Sequence, residues 1–109
     1  MKIVNEYGEI EISVQAIRRM VYFAVLESYG PVNIESENIF GRFFSKEEER
    51  IKVEESEDGS VSVDVYLELE YGVKITEVAK NIIDNVIHTL KEMGGVEEVR
   101  VNVHVIGLR

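Results

Sequence analysis

Apolar residues fall at regular intervals in six stretches of the chain. Residues 8–12 alternate, with Ile10 and Ile12 on one face and Glu9 and Glu11 on the other, which predicts a short strand. Ser13 follows as a helix N-cap, because its hydroxyl can accept from a backbone N–H that the first turn leaves unpaired. In residues 14–29, Val14, Ile17, Val21, Ala24, Val25 and Ser28 recur at helical spacing and form one stripe. Gly30 and Pro31 end that helix, one accepting a left-handed cap and the other unable to continue the ladder. Residues 31–48 carry no clear period. Residues 50–55 alternate with Ile51 and Val53 inward, and in residues 60–71 Val61, Val63, Val65, Leu67 and Leu69 share one face. Asp58-Gly59 between them signals a type I′ hairpin turn. In residues 75–93, Ile75, Val78, Ala79, Ile82, Val86, Leu90 and Met93 line a second helix, widened by Ile83 and Ile87. Gly94-Gly95 closes it, with Val96 returning onto Leu90. A last strand alternates Val99, Val101, Val103 and Val105 with Arg100, Asn102, His104 and Ile106.

The order is β-α-(insert)-β-β-α-β, and each main strand is apolar on one side only. That predicts an α+β fold: a two-layer sandwich with two helices on one face of a mainly antiparallel sheet. Ferredoxin-like topology is the first arrangement such an order suggests. Periodicity leaves the strand order open. At 109 residues the chain reads as a single domain, 1–109.

Charge changes the picture of what the domain can touch. Lys and Arg number 12 against 21 Asp and Glu, a net of −9. An acidic chain is repelled by phosphate backbones at long range, which argues against nucleic acid as partner. Tyr66 on the open strand face stands among Asp64, Glu68 and Glu70, the opposite of the basic, aromatic sheet that reads RNA. Cysteine is absent, which excludes disulfides, thiol catalysis and Cys-ligated metals. No apolar run approaches the ~18 residues of a membrane span, and residues 1–7 hold no signal-peptide core. A cytoplasmic location is the resulting expectation.

Candidate chemistry is sparse. His88 falls on the polar side of the second helix and His104 on the open face of the last strand, in no ligand-spaced pair. Asp64, Glu68 and Glu70 lie within reach of His104 across the sheet, and the plain reading of this set is a solvated sheet face. The runs Glu47-Glu48-Glu49, Glu54-Glu55 and Glu97-Glu98 read as solvated acids, since a catalytic pair needs a buried member with a raised pKa. No phosphate-binding loop is present, and Gly72 suits a turn. The expectation is therefore no catalytic residue, cofactor or metal. Ile39-Phe40-Gly41-Arg42-Phe43-Phe44 differs from its Glu-rich surroundings. Phe and Arg are enriched at interface cores, so Phe40, Arg42, Phe43 and Phe44 are candidate partner-binding residues.

Three stretches in order carry a family likeness: Gly8-Glu9-Ile10-Glu11-Ile12-Ser13, then Glu70-Tyr71-Gly72-Val73-Lys74-Ile75-Thr76-Glu77-Val78-Ala79, then Val101-Asn102-Val103-His104-Val105-Ile106-Gly107. With this spacing the chain resembles the alkaline-shock-protein family of bacterial envelope-stress proteins. The resemblance implies a non-enzymatic cytoplasmic protein tied to cell-envelope stress or homeostasis. It would act through protein–protein contacts, reach the membrane only through a small membrane-anchored partner, and self-assemble as a homo-oligomer. A regulatory subunit or small-ligand sensor acting on lipid or fatty-acid metabolism is the alternative. Tyr71, Gly72, Asn102 and His104 are the motif residues the resemblance singles out. In the middle, Gly30-Pro31-Val32-Asn33-Ile34 replaces the family's usual stretch.

Overall fold

The computed structural model describes residues 1–28 and 50–108. The chain opens with a hairpin of β1 (Lys2–Asn5) and β2 (Gly8–Glu11), with Ile3 opposite Ile10. Asn5 builds its turn: the Asn5 side-chain oxygen accepts the backbone N–H groups of Tyr7 at 2.8 Å and Gly8 at 3.1 Å. That is the local bonding that favours Asn in turns. Ser13 then caps α1 (Val14–Glu27) as its position predicts, its hydroxyl accepting from the Ala16 N–H at 3.0 Å.

The central sheet has three strands in the order β3 (Ile51–Glu55), β4 (Val61–Leu69), β5 (Val99–Leu108). β3 and β4 form the expected antiparallel hairpin, with Lys52 opposite Asp64 and Val53 opposite Val63. The turn is not type I′. Of its two central residues only Gly59 has positive φ, at +88°, and no residue other than glycine does among those described. Instead the Asp58 carboxylate accepts the Ser60 N–H at 3.0 Å and hydroxyl at 2.7 Å, while Gly59 N–H bonds back to the Ser56 carbonyl at 3.0 Å. A longer loop with one left-handed glycine satisfies the same two strands.

α2 (Ile75–Glu92) carries the chain from β4 to β5, which lie side by side and parallel, with Val61 opposite Val99 and Tyr66 opposite His104. Parallel neighbours need such a crossover. This pairing decides the topology. A ferredoxin-like sheet would insert the strand before α1 between the later strands, but β4 and β5 already occupy adjacent places. Among the described residues the preceding strand, β2, pairs with β1 instead.

The two-layer α+β arrangement stands. Val61, Val63, Val65, Leu67 and Leu69 are all buried, as their alternation predicts, and pack with Ile17, Val21, Ala24 and Val25 of α1 and Ile82, Val86 and Leu90 of α2. α1 packs over β3, where Arg18 Nε donates to the Ile51 carbonyl at 3.1 Å, and α2 packs over β5. The helices meet through Asn85, whose amide donates to the Ser28 hydroxyl at 2.9 Å. At the end of α2 the Leu90 carbonyl accepts from both Gly94 and Val96 at 3.1 Å, a closure one residue wider than a Schellman motif.

Candidate functional site

Among the described residues the helices cover one face of the sheet, and the period of two decides which side chains stand on the other. Lys52, Asp64, Tyr66, Asn102 and His104 share this face. The strand register brings them together. Lys52, Asp64 and Asn102 form one row across the three strands, and Tyr66 and His104 form the next.

Asp64 is the centre of the cluster. A carboxylate only accepts, so His104 Nε2 donates to its Oδ1 at 2.9 Å, and Asn102 Nδ2 donates to the same oxygen at 3.3 Å. The His104 ring lies flat on Tyr66, with centroids 4.4 Å apart and 12° between planes. Lys52 Nζ stands 5.5 Å from the Tyr66 centroid, within cation–π reach. The Asp64 side chain is 31% exposed and that of His104 42%, so the cluster is a fixed half-open surface. The hydrogen bond from His104 chiefly, with Asn102 and Lys52 adding to it, holds the Asp64 carboxyl below its usual range against a smaller effect of burial.

This fixes a sign for acid stability. A carboxyl with a lowered folded pKa contributes stability above its unfolded value, about 3.9, and loses it as pH falls through the folded value. Asp64→Asn is therefore expected to lower the melting temperature at neutral pH and to flatten its fall below about pH 4. Asp58, also held low by the Ser60 N–H and hydroxyl, remains on the same limb in both proteins. Melting curves across the acid range check this, and an unchanged acid limb in the variant would count against it.

Of the residues singled out in the sequence, Asn102 and His104 converge on Asp64. Tyr71 and Gly72 stand apart, beyond the Leu69–Leu108 end of the sheet. Tyr71 is 83% exposed, and Gly72 turns the chain into α2 with φ +99°. Phe40, Arg42, Phe43 and Phe44 lie outside the described residues. Glu68 sits beside Gly107, two residues along the strand from the Tyr66–His104 row. Sequence reasoning missed Lys52. The signal was present, since a hairpin centred on Asp58 sets residue 52 opposite residue 64.

Among the described residues, no group of three or more His, Asp or Glu is placed to hold a metal, and no helix is long and apolar enough to cross a membrane. A pocket at the other end of the sheet is lined by Lys2, Ile3, Asp58, Ser60, Glu97 and Glu98 among others, and includes none of the cluster.

Residues 2–109 fit the model of the alkaline shock protein 23 family, described by its cell envelope-related function. The chain belongs to this family. Its relatives include the uncharacterized protein YloU of Bacillus subtilis strain 168, 31% identical over 110 residues, covering 96% of this chain and 92% of that one. The uncharacterized protein Spy1614 of Streptococcus pyogenes serotype M6 is 35% identical over 114 residues, covering 100% of this chain and 94% of that one. A second Bacillus subtilis protein, the uncharacterized YqhY, is 27% identical over 106 residues, covering 94% and 78%. No solved structure matches the chain significantly. The family description and these relatives' names carry no catalytic activity.

Proposed function

We propose that this chain is a non-enzymatic scaffold of the cell envelope, cytoplasmic and peripheral at the membrane, that works by binding a small membrane-anchored protein. The observation that carries the reading is the convergence of the motif residues Asn102 and His104 on Asp64, beside the stacked Tyr66, on the half-open sheet face opposite the helices. Such a surface suits recognition. Its aromatic ring and its hydrogen-bonding groups are held in place by each other, so little side-chain entropy remains to be lost when a partner covers them. Nε2 of His104 is engaged with Asp64 and one ring face with Tyr66, an arrangement that favours orientation over proton shuttling. The Phe-rich segment with Phe40, Arg42, Phe43 and Phe44 is a second contact candidate on sequence grounds.

The test is capture of the tagged chain from host membranes, compared with Tyr66→Ala/His104→Ala. Both side chains are half-buried, so circular dichroism first establishes that the double variant folds. Enrichment of a small membrane-anchored protein is expected with the wild type, reduced at least tenfold in the folded double variant. Phe43→Asp/Phe44→Asp reports separately on the second candidate. Undiminished capture by the folded Tyr66→Ala/His104→Ala chain would remove the sheet face from the proposal. Recovery of a soluble metabolic enzyme alone would favour the regulatory-subunit reading.

A further inference from the structure

Asp58 is the only aspartate or asparagine in the chain that is followed by glycine. The other aspartates, Asp64 and Asp84, precede Val65 and Asn85, and every asparagine precedes a residue larger than glycine. That neighbour matters chemically. The backbone nitrogen after an aspartate can attack the side-chain carboxyl and close a five-membered imide. A side chain on the following residue hinders this attack, and glycine does not. The fold itself requires the glycine here, because Gly59 sits at φ +88°, where other residues are strained. The turn therefore creates a reactive pair by its own geometry.

The folded turn engages both reacting groups. The Gly59 N–H donates to the Ser56 carbonyl at 3.0 Å. The Asp58 carboxylate accepts the Ser60 N–H at 3.0 Å and the Ser60 hydroxyl at 2.7 Å. The Ser56 N–H donates to the Ser60 carbonyl at 2.9 Å and closes the loop. The nucleophile is thus turned back toward Ser56 and the electrophile forward toward Ser60. The Ser60 bonds also hold the Asp58 carboxyl below its usual range, so the neutral acid, which loses its oxygen as water more readily, is scarcer. Asp58 and Gly59 are exposed and Ser60 is half-buried. An exposed turn of this kind opens locally without global unfolding.

We propose that Asp58 is a site of covalent self-modification, isomerising to isoaspartate through an imide with Gly59, and that the Ser56–Ser60 hydrogen bonds hold this reaction shut in the folded chain. The step needs only water. The Gly59 nitrogen bonds to Asp58 Cγ, and its proton leaves with the carboxyl OH as one water. Water then adds back at either carbonyl. Opening at Cγ restores aspartate. Opening at the main-chain carbonyl of Asp58 breaks its bond to the Gly59 nitrogen and leaves the chain running through Cγ. Nothing is oxidised or reduced, and the mass is unchanged.

The product turn is one main-chain atom longer, and its carboxylate no longer stands where Ser60 donates. It borders the Glu55–Val61 pair that begins the hairpin and one wall of the pocket lined by Lys2, Glu97 and Glu98. Isomerised chain is therefore expected to melt below unmodified chain. This chemistry is independent of the membrane partner proposed above and can fail or hold without it.

The test is prolonged incubation of the full chain at neutral pH, with and without unfolding concentrations of urea. Peptide mapping with electron-transfer fragmentation then reads isoaspartate at residue 58. The folded wild type is expected to isomerise at least tenfold more slowly than the chain in urea, because reaction follows the population of the opened turn. Ser60→Ala keeps the N–H donor and loses the hydroxyl. Once circular dichroism shows that it folds, it is expected to react about fivefold faster than folded wild type, the effect of one lost hydrogen bond. In urea the two rates should coincide. Asp58→Glu, one carbon too long for the five-membered ring, should give no product in either state. The wild-type comparison stands without either variant. A folded wild type that reacts as fast as the chain in urea, a folded Ser60→Ala no faster than wild type, or no excess at Asp58 over Asp64 and Asp84 in urea would each overturn the proposal.

Discussion

Leu90→Ala is expected to lower the unfolding free energy by about 3 kcal/mol, the middle of the range for emptying a buried leucine site. Leu90 is fully buried in the last turn of α2, within the cluster that joins both helices to the sheet. Its backbone carbonyl accepts from Gly94 and Val96, and alanine keeps both bonds. The loss therefore isolates the side chain: its transfer out of water plus the contacts its neighbours lose around the void. Against a total of about 5–15 kcal/mol for a domain of this kind, that is a large fraction, equivalent to about 12–20 °C in melting temperature. Denaturant titration measures it. A change below about 1 kcal/mol would mean that the end of α2 collapses onto the gap or is less firmly packed than its burial implies.

Gly94→Ala should be the next most damaging single change, at about 2 kcal/mol. Gly94 is buried where α2 gives way to the loop before β5. A Cβ there would lie 2.8 Å from the Leu90 carbonyl oxygen and 3.2 Å from the Met20 side-chain methyl. The methionine can move aside. The carbonyl cannot, because it is held in the helix and already receives the Gly94 N–H itself. Relief must come from opening the joint, which also strains the Val96 bond. The neighbouring Gly95 is glycine for another reason, its φ of +67°, and alanine there costs about 1–2 kcal/mol through the left-handed backbone. Equilibrium unfolding of both variants separates the two effects. A Gly94→Ala protein as stable as wild type would show that the joint has room which the Leu90 carbonyl contact denies.

Much of the fold was legible because burial here follows period so closely. The five apolar residues of β4 are buried and the four between them half-exposed. On α2 the stripe through Ile82, Val86 and Leu90 is the buried one. Legibility fails where neighbours matter more than pattern. Val14 belongs to the α1 stripe by spacing, yet it is 38% exposed because it opens the helix at the margin of the sheet. β1 was invisible as a strand of four residues, although Asn5 three positions before Gly8 marked its turn. The pairing of β4 with β5 was open because alternation says which face a residue takes and nothing about which strand lies beside it. The same limit applied to the site. That Asp64 and His104 shared a face was readable from parity, whereas their contact depended on a parallel register that only the crossover through α2 establishes.

That crossover also ranks the two halves of the sheet by the entropy of making them. The β3–β4 pairs lie 6 to 14 residues apart in the chain, from Glu55–Val61 to Ile51–Val65, so the hairpin can zip from its turn before anything else has folded. Every β4–β5 bond spans the whole of α2, and Val61 meets Val99 only when that helix has shortened the path between them. Long-range pairing of this kind gains nothing until most of its entropic cost has been met. The hairpin is thus the natural template, and α2 the measuring rod that delivers the last strand. The meeting of Asp64 with Asn102 and His104 exists only once that delivery is complete.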